Sequence, residues 1–265
     1  MTPQEKKRRD FMKNIAGLGV LGLAAGAGIY FAPRLKADKL LLRPPGAVDE
    51  DDFLKLCIKC GQCLQVCPYD SIELEDIDGG ASMGMAYIDP LKRGCYLCEA
   101  FPCILACPTG ALDHEKDEIK YIHMGMAVIV NESACLALQN KPVPDRAIDR
   151  IYDHTRILTA EEHRQHKVIM RGDENEKEEL QKKVLQNLEQ FRGKACTICA
   201  DMCPFHPNPE DAIGMVAKEG GLIPEIREAC VGCGACVELC PTQVLNIVPR
   251  ATYDQIYGKG KKSDA

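Results

Sequence analysis

The sequence predicts an α+β fold built from two similar halves, with a basic leader in front and a helical insertion inside the second half. Three observations carry that expectation. Sixteen cysteines in 265 residues fall into repeated runs. Two short strand phrases with glycine at their start, Gly84-Met85-Ala86-Tyr87-Ile88 and Gly125-Met126-Ala127-Val128-Ile129, recur eleven and ten residues ahead of a cysteine. Aromatic residues make up 5% of the chain and tryptophan is absent, so bonds other than side-chain burial are expected to organise the fold.

The first run is Cys57-x2-Cys60-x2-Cys63-x3-Cys67-Pro68 and the last is Cys230-x2-Cys233-x2-Cys236-x3-Cys240-Pro241. Both have the spacing of the bacterial ferredoxin run that binds [4Fe–4S] clusters through thiolates. Zinc sites use two close pairs separated by a spacer. Cysteines three apart in one tight loop cannot all pair as disulfides without strained bridges. The second run, Cys95-x2-Cys98-x4-Cys103-x3-Cys107-Pro108, is the same motif with two extra residues before its third cysteine. Cys103 to Leu112 reads as a short helix, a turn and a strand. Gly61 and Gly234 lie in the ligand loops, where a missing side chain permits close backbone approach.

The third run, Cys196-x2-Cys199-x3-Cys203-Pro204, supplies only three cysteines. Cys135 is the one left over, and it follows the second strand phrase as Cys95 follows the first. Cys135 therefore takes the place of a first ligand, with an insertion behind it. In two-cluster ferredoxins the cysteine before proline ligates the other cluster. Applied to neighbouring runs, that rule predicts four [4Fe–4S] clusters. Their ligand sets are Cys57, Cys60, Cys63 and Cys107; Cys67, Cys95, Cys98 and Cys103; Cys135, Cys196, Cys199 and Cys240; and Cys203, Cys230, Cys233 and Cys236. An interleaved pairing of runs would use the same sixteen residues and stays open. The expected modules span 44–122 and 123–250, the latter with an insertion at 139–193, and a tail follows at 251–265.

Residues 1–43 carry nine Lys/Arg against three Asp/Glu, a net of +6, so the rest of the chain carries −12. An acidic body argues against a nucleic-acid binder. The leader runs from Lys6-Lys7-Arg8-Arg9 into an uncharged stretch, Asn14 to Ala32, in the order of an export signal. Arg8-Arg9-x-Phe-Met-Lys13 resembles the twin-arginine (Tat) signature. The apolar stretch is barely long enough to span a bilayer, so a cleaved signal and an uncleaved anchor both stay open. Gly17-x-Gly19-x-x-Gly22 lies inside this leader and lacks the βαβ context of a dinucleotide site, so no nucleotide is expected. Export after folding keeps a cysteine-bound cofactor compatible with a periplasmic location.

Lys141-Pro142-Val143-Pro144 reads as a turn. From Asp173 to Phe191 the pattern becomes helical, with Asp173 and Glu176 spaced as a capping box. Leu180, Val184, Leu188 and Phe191 form its apolar stripe, and Glu178–Lys182 and Glu179–Lys183 are solvent-side pairs. This helix is expected to cover the second cluster pair, or to dock a partner. His154, His163 and His166 are read as unligated, and no C-x-x-C-H haem motif occurs. His206 is placed to tune a cluster by hydrogen bonding. Asp201 and Glu238 are read as solvated faces of short helices. No nucleophile–base signature is present, so no catalytic residue is expected.

The twin-arginine leader, the four ferredoxin motifs and Gly-Met-Ala-x-Ile ahead of the lone Cys135-Leu-Ala-Leu-Gln139 resemble the NapG/MauM ferredoxin-type proteins over most of 1–138 and 194–250. The segment after the lone cysteine is longer here than in that family. The resemblance implies a periplasmic electron carrier at the inner membrane. It would take electrons from a NapH-like, quinol-oxidising membrane partner and pass them to a periplasmic cytochrome or reductase. A fixed iron–sulfur subunit of a molybdoenzyme or hydrogenase, or a maturation factor, are the alternatives.

Cluster ligation would tie distant segments together, so metal-binding free energy becomes folding free energy. The chain stripped of iron and sulfide is expected to be largely unfolded. Far-UV circular dichroism of the chelated protein checks this, and a native-like spectrum would contradict it.

Overall fold

Each cysteine run folds as a loop followed by one turn of helix, and the proline behind the run stops the helix. A residue before proline is pushed toward extended backbone, which ends the turn at the Cys-Pro step. The computed structural model, which describes residues 40–154 and 174–258, has this arrangement four times. After α1 (Glu50–Leu56), the first helix among the described residues, come α2 (Gln62–Val66) and α3 (Pro102–Leu105), the helical turns of the first two runs. α4 (Asp145–His154) and α5 (Glu174–Glu189) belong to the insertion. α6 (Ile198–Asp201) and α7 (Ala235–Glu238) are the turns of the last two runs, and α8 (Tyr253–Ile256) closes the described chain. The twin-arginine and nucleotide-motif readings, His163, His166, Asp173 and the tail beyond Gly258 lie outside the described residues.

Among the described residues there are also three two-stranded antiparallel sheets. β1 (Glu73–Leu74) pairs with β2 (Ala86–Tyr87), and β3 (Gly125–Ile129) pairs with β6 (Leu245–Pro249). β4 (Ile213–Lys218) and β5 (Gly221–Ile226) form a hairpin. Both glycine-led phrases are therefore strands. The Ala111–Leu112 segment is shorter than expected: Leu112 makes a single bridge to Ala47. Residues 75–84 group apart from the body and contain a 3-10 turn at Ile77–Ser82.

Residues 40–74 and 85–258 fall in one compact unit. One buried cluster passes through both cysteine-bearing halves and includes Phe53, Ile88, Ile104, Met126, Val237 and Leu245. A second gathers Val143, Ile148, Leu188, Phe191, Ile198 and Leu239. β3 and β6 flank the second half, so the strand ahead of Cys135 pairs with the strand behind Cys240.

The insertion helix differs from its expected face. Its buried positions are Lys177, Gln181, Leu185 and Leu188, while Leu180 and Val184 are only half-buried. The buried stripe is displaced because the first half of α5 rests on backbone, not on apolar side chains. Lys177 Nζ donates to the carbonyls of Gln65 (2.7 Å) and Cys67 (3.0 Å), and Gln181 donates to the Pro68 carbonyl and Asp70, both at 3.0 Å. Its far end packs with Cys135 and Cys196. α5 thus braces both halves, not the second alone. The Glu178–Lys182 ion pair forms.

The front and back of the described chain meet at an ion triad that is buried at Arg43 and half-buried at Glu50 and Arg250. Arg43 is 2% exposed and binds Glu50 at 2.5 Å, while Arg250 reaches the same carboxylate at 3.1 Å. Arg250 also donates to the Val48 carbonyl at 2.8 Å, and Arg43 to the Ala86 carbonyl at 2.9 Å. Burial pushes the Glu50 carboxyl up, but the hydrogen bonds and charges of Arg43 and Arg250 outweigh it and hold its pKa below the ordinary 4.5. A depressed carboxylate stabilises the fold above its unfolded pKa and loses that contribution as pH falls through the folded pKa. Glu50→Gln is expected to cost about 2 kcal/mol at neutral pH. Thermal midpoints of the two proteins should converge as pH falls below 4.5, where wild-type Glu50 also becomes neutral.

Candidate metal centres

The four helical turns cross in two pairs: α2 packs against α3, and α6 against α7. Crossing brings the cysteine before each proline into the neighbouring run. Cys57, Cys60 and Cys63 line one cavity with Cys107. Cys95, Cys98 and Cys103 line a second with Cys67. Cys135, Cys196 and Cys199 line a third with Cys240, and Cys230, Cys233 and Cys236 line a fourth with Cys203. Neighbouring runs are thus brought together, the first with the second and the third with the fourth. The four cavities are small, about 30, 10, 20 and 20 Å³ in that order. Their other linings are mostly apolar, such as Phe53 and Leu112 in the first and Ile198 and Leu245 in the third.

All sixteen cysteines are free thiols, and Cys60 alone is exposed. Among the described residues, no group of three or more His, Cys, Asp or Glu converges on a point as a single metal ion requires. Mononuclear zinc needs four ligands within about 2.3 Å of one centre. Cavities ringed by four separated thiols fit a polynuclear cluster better.

The sulfurs are also supplied with donors. Ser71 N–H lies 3.4 Å from Cys67 Sγ, Leu112 N–H 3.4 Å from Cys107 Sγ and Val244 N–H 3.2 Å from Cys240 Sγ. Each donor belongs to the turn that follows the Cys-Pro step. At Cys107 burial pushes the thiol up, yet the Leu112, Thr109 and Ala111 N–H groups and the Thr109 hydroxyl hold its pKa below 9.0. At several other thiols burial dominates. It pushes Cys63 up to about 12, with the Cys57 sulfur adding to it, and Cys98 up to about 12, with Cys67 adding to it. Burial likewise raises Cys103, Cys233 and Cys236 well above 9.0. Without metal these are neutral thiols at neutral pH, so metal binding must release their protons.

The glycines differ in what they provide. Gly61 and Gly234 cap the starts of α2 and α7 in the left-handed region, at φ 70° and 86°. A Cβ on Gly61 would meet nothing within 4 Å, so there the need is for the dihedral, not for close approach. At Gly234 a Cβ would also come within 2.6 Å of Pro90 Cβ.

Glu238 departs from its expected place. Asp201 is exposed, but the Glu238 side chain is 1% exposed and faces Arg93 at 3.6 Å. It accepts from Gly94 N–H at 2.7 Å and from the Tyr96 hydroxyl at 3.0 Å. Sequence reasoning missed it because these partners lie more than 140 positions away in the chain. His206 is exposed and makes no hydrogen bond to a cysteine among the described residues.

Residues 56–111 and 194–245 each match a 4Fe-4S dicluster domain. The chain is 29% identical to the ferredoxin-type protein NapG of Escherichia coli (strain K12) over 249 residues, which covers 90% of this chain and 82% of that protein. It is 29% identical over 262 residues to the methylamine utilization ferredoxin-type protein MauM of Paracoccus denitrificans, covering 94% and 91%. The MauM protein of Methylorubrum extorquens is 27% identical over 259 residues, covering 94% and 91%. The chain belongs with the NapG and MauM ferredoxin-type proteins. It is an iron–sulfur electron-transfer protein with two 4Fe-4S dicluster ferredoxin-like domains. No solved structure matches it.

The Glu238 carboxylate joins the Arg93–Tyr96 segment to α7. Glu238→Ala removes the carboxylate that faces Arg93 and leaves the buried Gly94 N–H without its acceptor, and is expected to cost about 2 kcal/mol. Glu238→Gln keeps an acceptor oxygen and should cost less. Thermal unfolding of the two anaerobically purified variants checks the ranking.

Proposed function

We propose that the chain carries four [4Fe–4S] clusters, one per cysteine quartet. In this reading it works at the periplasmic face of the inner membrane as an electron carrier between a quinol-oxidising membrane partner and a periplasmic oxidoreductase. The observation that carries this reading is the partition of the sixteen cysteines into four quartets with none left over, Cys135 included. Such clusters supply one-electron transfer when bound, with potentials set by hydrogen bonds to sulfur, burial and charge. The chain's own part is to hold the thiols apart around apolar cavities and aim backbone donors at their sulfurs. Keeping water from most of them completes it.

The twin-arginine-like leader supports export in the folded, cluster-loaded state and a place at the membrane. The NapG likeness supports a NapH-like donor and, as acceptor, a periplasmic cytochrome or reductase of a nitrate reductase-like system. The MauM likeness supports the more general role of serving a larger oxidoreductase system.

Iron and sulfide analysis of the anaerobically purified protein, with electron paramagnetic resonance, tests the count. About sixteen irons per chain are expected, four for each cluster. Twelve or fewer would overturn it. Cys135→Ser should lose or alter one cluster signal and leave the others, whereas an unchanged spectrum would remove Cys135 from the ligand set.

A further inference from the structure

The two cysteine pairs touch at one backbone contact. Cys95 N–H donates to the Cys233 carbonyl at 2.8 Å, and Cys95 bridges Gly234 in parallel. Cys95 belongs to the second quartet and Cys233 to the fourth. The approach depends on two glycines. A Cβ on Gly94 would lie 2.4 Å from Ala235 N and 2.6 Å from the Gly234 carbonyl carbon, and one on Gly234 would strike Pro90. Ser71 anchors the same strip, its hydroxyl donating to the Gly94 carbonyl at 2.6 Å, and Glu238 holds the Gly94 N–H from the other side.

Resting on the four-cluster reading, we propose that this Gly94–Cys95/Cys233–Gly234 contact is the junction coupling the two pairs. It makes the spatial order of the quartets first, second, fourth, third, and leaves the first and third as the ends. The order departs from the order of runs along the chain. It follows from which loops cross: α2 and α3 join the first and second quartets, the glycine junction joins the second and fourth, and α6 and α7 join the fourth and third.

Of the two ends, the first opens outward, and the third, with Cys135 and Cys196 buried, reaches a groove at Cys240. Cys60 of the first quartet is the exposed cysteine, beside Ile58 at 61% exposure. Cys240 of the third borders the open groove formed with Leu91, Arg150, Thr242 and Gln243.

Dipolar broadening in electron paramagnetic resonance reads adjacency directly, because it falls with the cube of distance between spins. The sample is the full chain, reduced anaerobically, with iron counted first. A count below about sixteen overturns the four-cluster reading, and the order with it. Given a full count, the double variant Cys203→Ala/Cys236→Ala removes the fourth quartet. The order expects a third-quartet signal that has lost its broadening, with the first and second still coupled. A third quartet that stays coupled to the second would overturn it. Gly94→Ala keeps all sixteen cysteines and guards against misfolding of the double variant. It should weaken the middle coupling while leaving the two within-pair couplings intact, and an unchanged pattern overturns the junction.

Discussion

The whole molecule depends on one exchange. A loop and its helical turn carry three thiols to one cavity, or two joined there by Cys135 in the third run, and the cysteine before the proline goes to the next. Neither run can complete a quartet alone, so the two turns of a pair must cross. That requirement acts together with the buried apolar cluster that passes through both halves, in a chain with few aromatic residues. Ligand bonds across distant segments turn metal affinity into folding stability. The sheets are correspondingly slight, three antiparallel pairs of strands that serve to align the loops.

Around that exchange the body is held by polar contacts placed where the halves meet. Glu238 ties α7 to the Cys95 loop, Lys177 and Gln181 tie the insertion to the turn after Cys67, and the Arg43–Glu50–Arg250 triad joins front to back. Each is buried or half-buried, so each relies on complete partnering to offset desolvation. Their shared role is registration. A thiol quartet tolerates little displacement, and directional bonds define relative position more sharply than apolar packing does.

Much of this was legible beforehand because the ligand chemistry is local. Cys57 to Cys67 and Cys230 to Cys240 declare their purpose by spacing, and the Cys-Pro step announces where each helix stops. Cys135 was legible through repetition, since its strand phrase copies the one ahead of Cys95. The face of α5 was not. Periodicity picks out apolar residues, whereas Lys177 and Gln181 are buried because the surface beneath them consists of carbonyl groups. Glu238 was misread for the same reason: a carboxylate on a one-turn helix looks solvated until its donors, far away in sequence, are brought to it.

Taken alone, the sequence determined the ligand type, the repeating turn and the number of thiols, since these depend on residues within about a dozen positions of one another. Only the tertiary structure decided which quartets are neighbours. That depends on a contact without side chains, Gly94 against Gly234 and Ala235, where the absence of two Cβ atoms lets one backbone lie on another. No periodicity or spacing records such a contact, because the two strips are joined by backbone hydrogen bonding, which any residue pair can make once sterics allow.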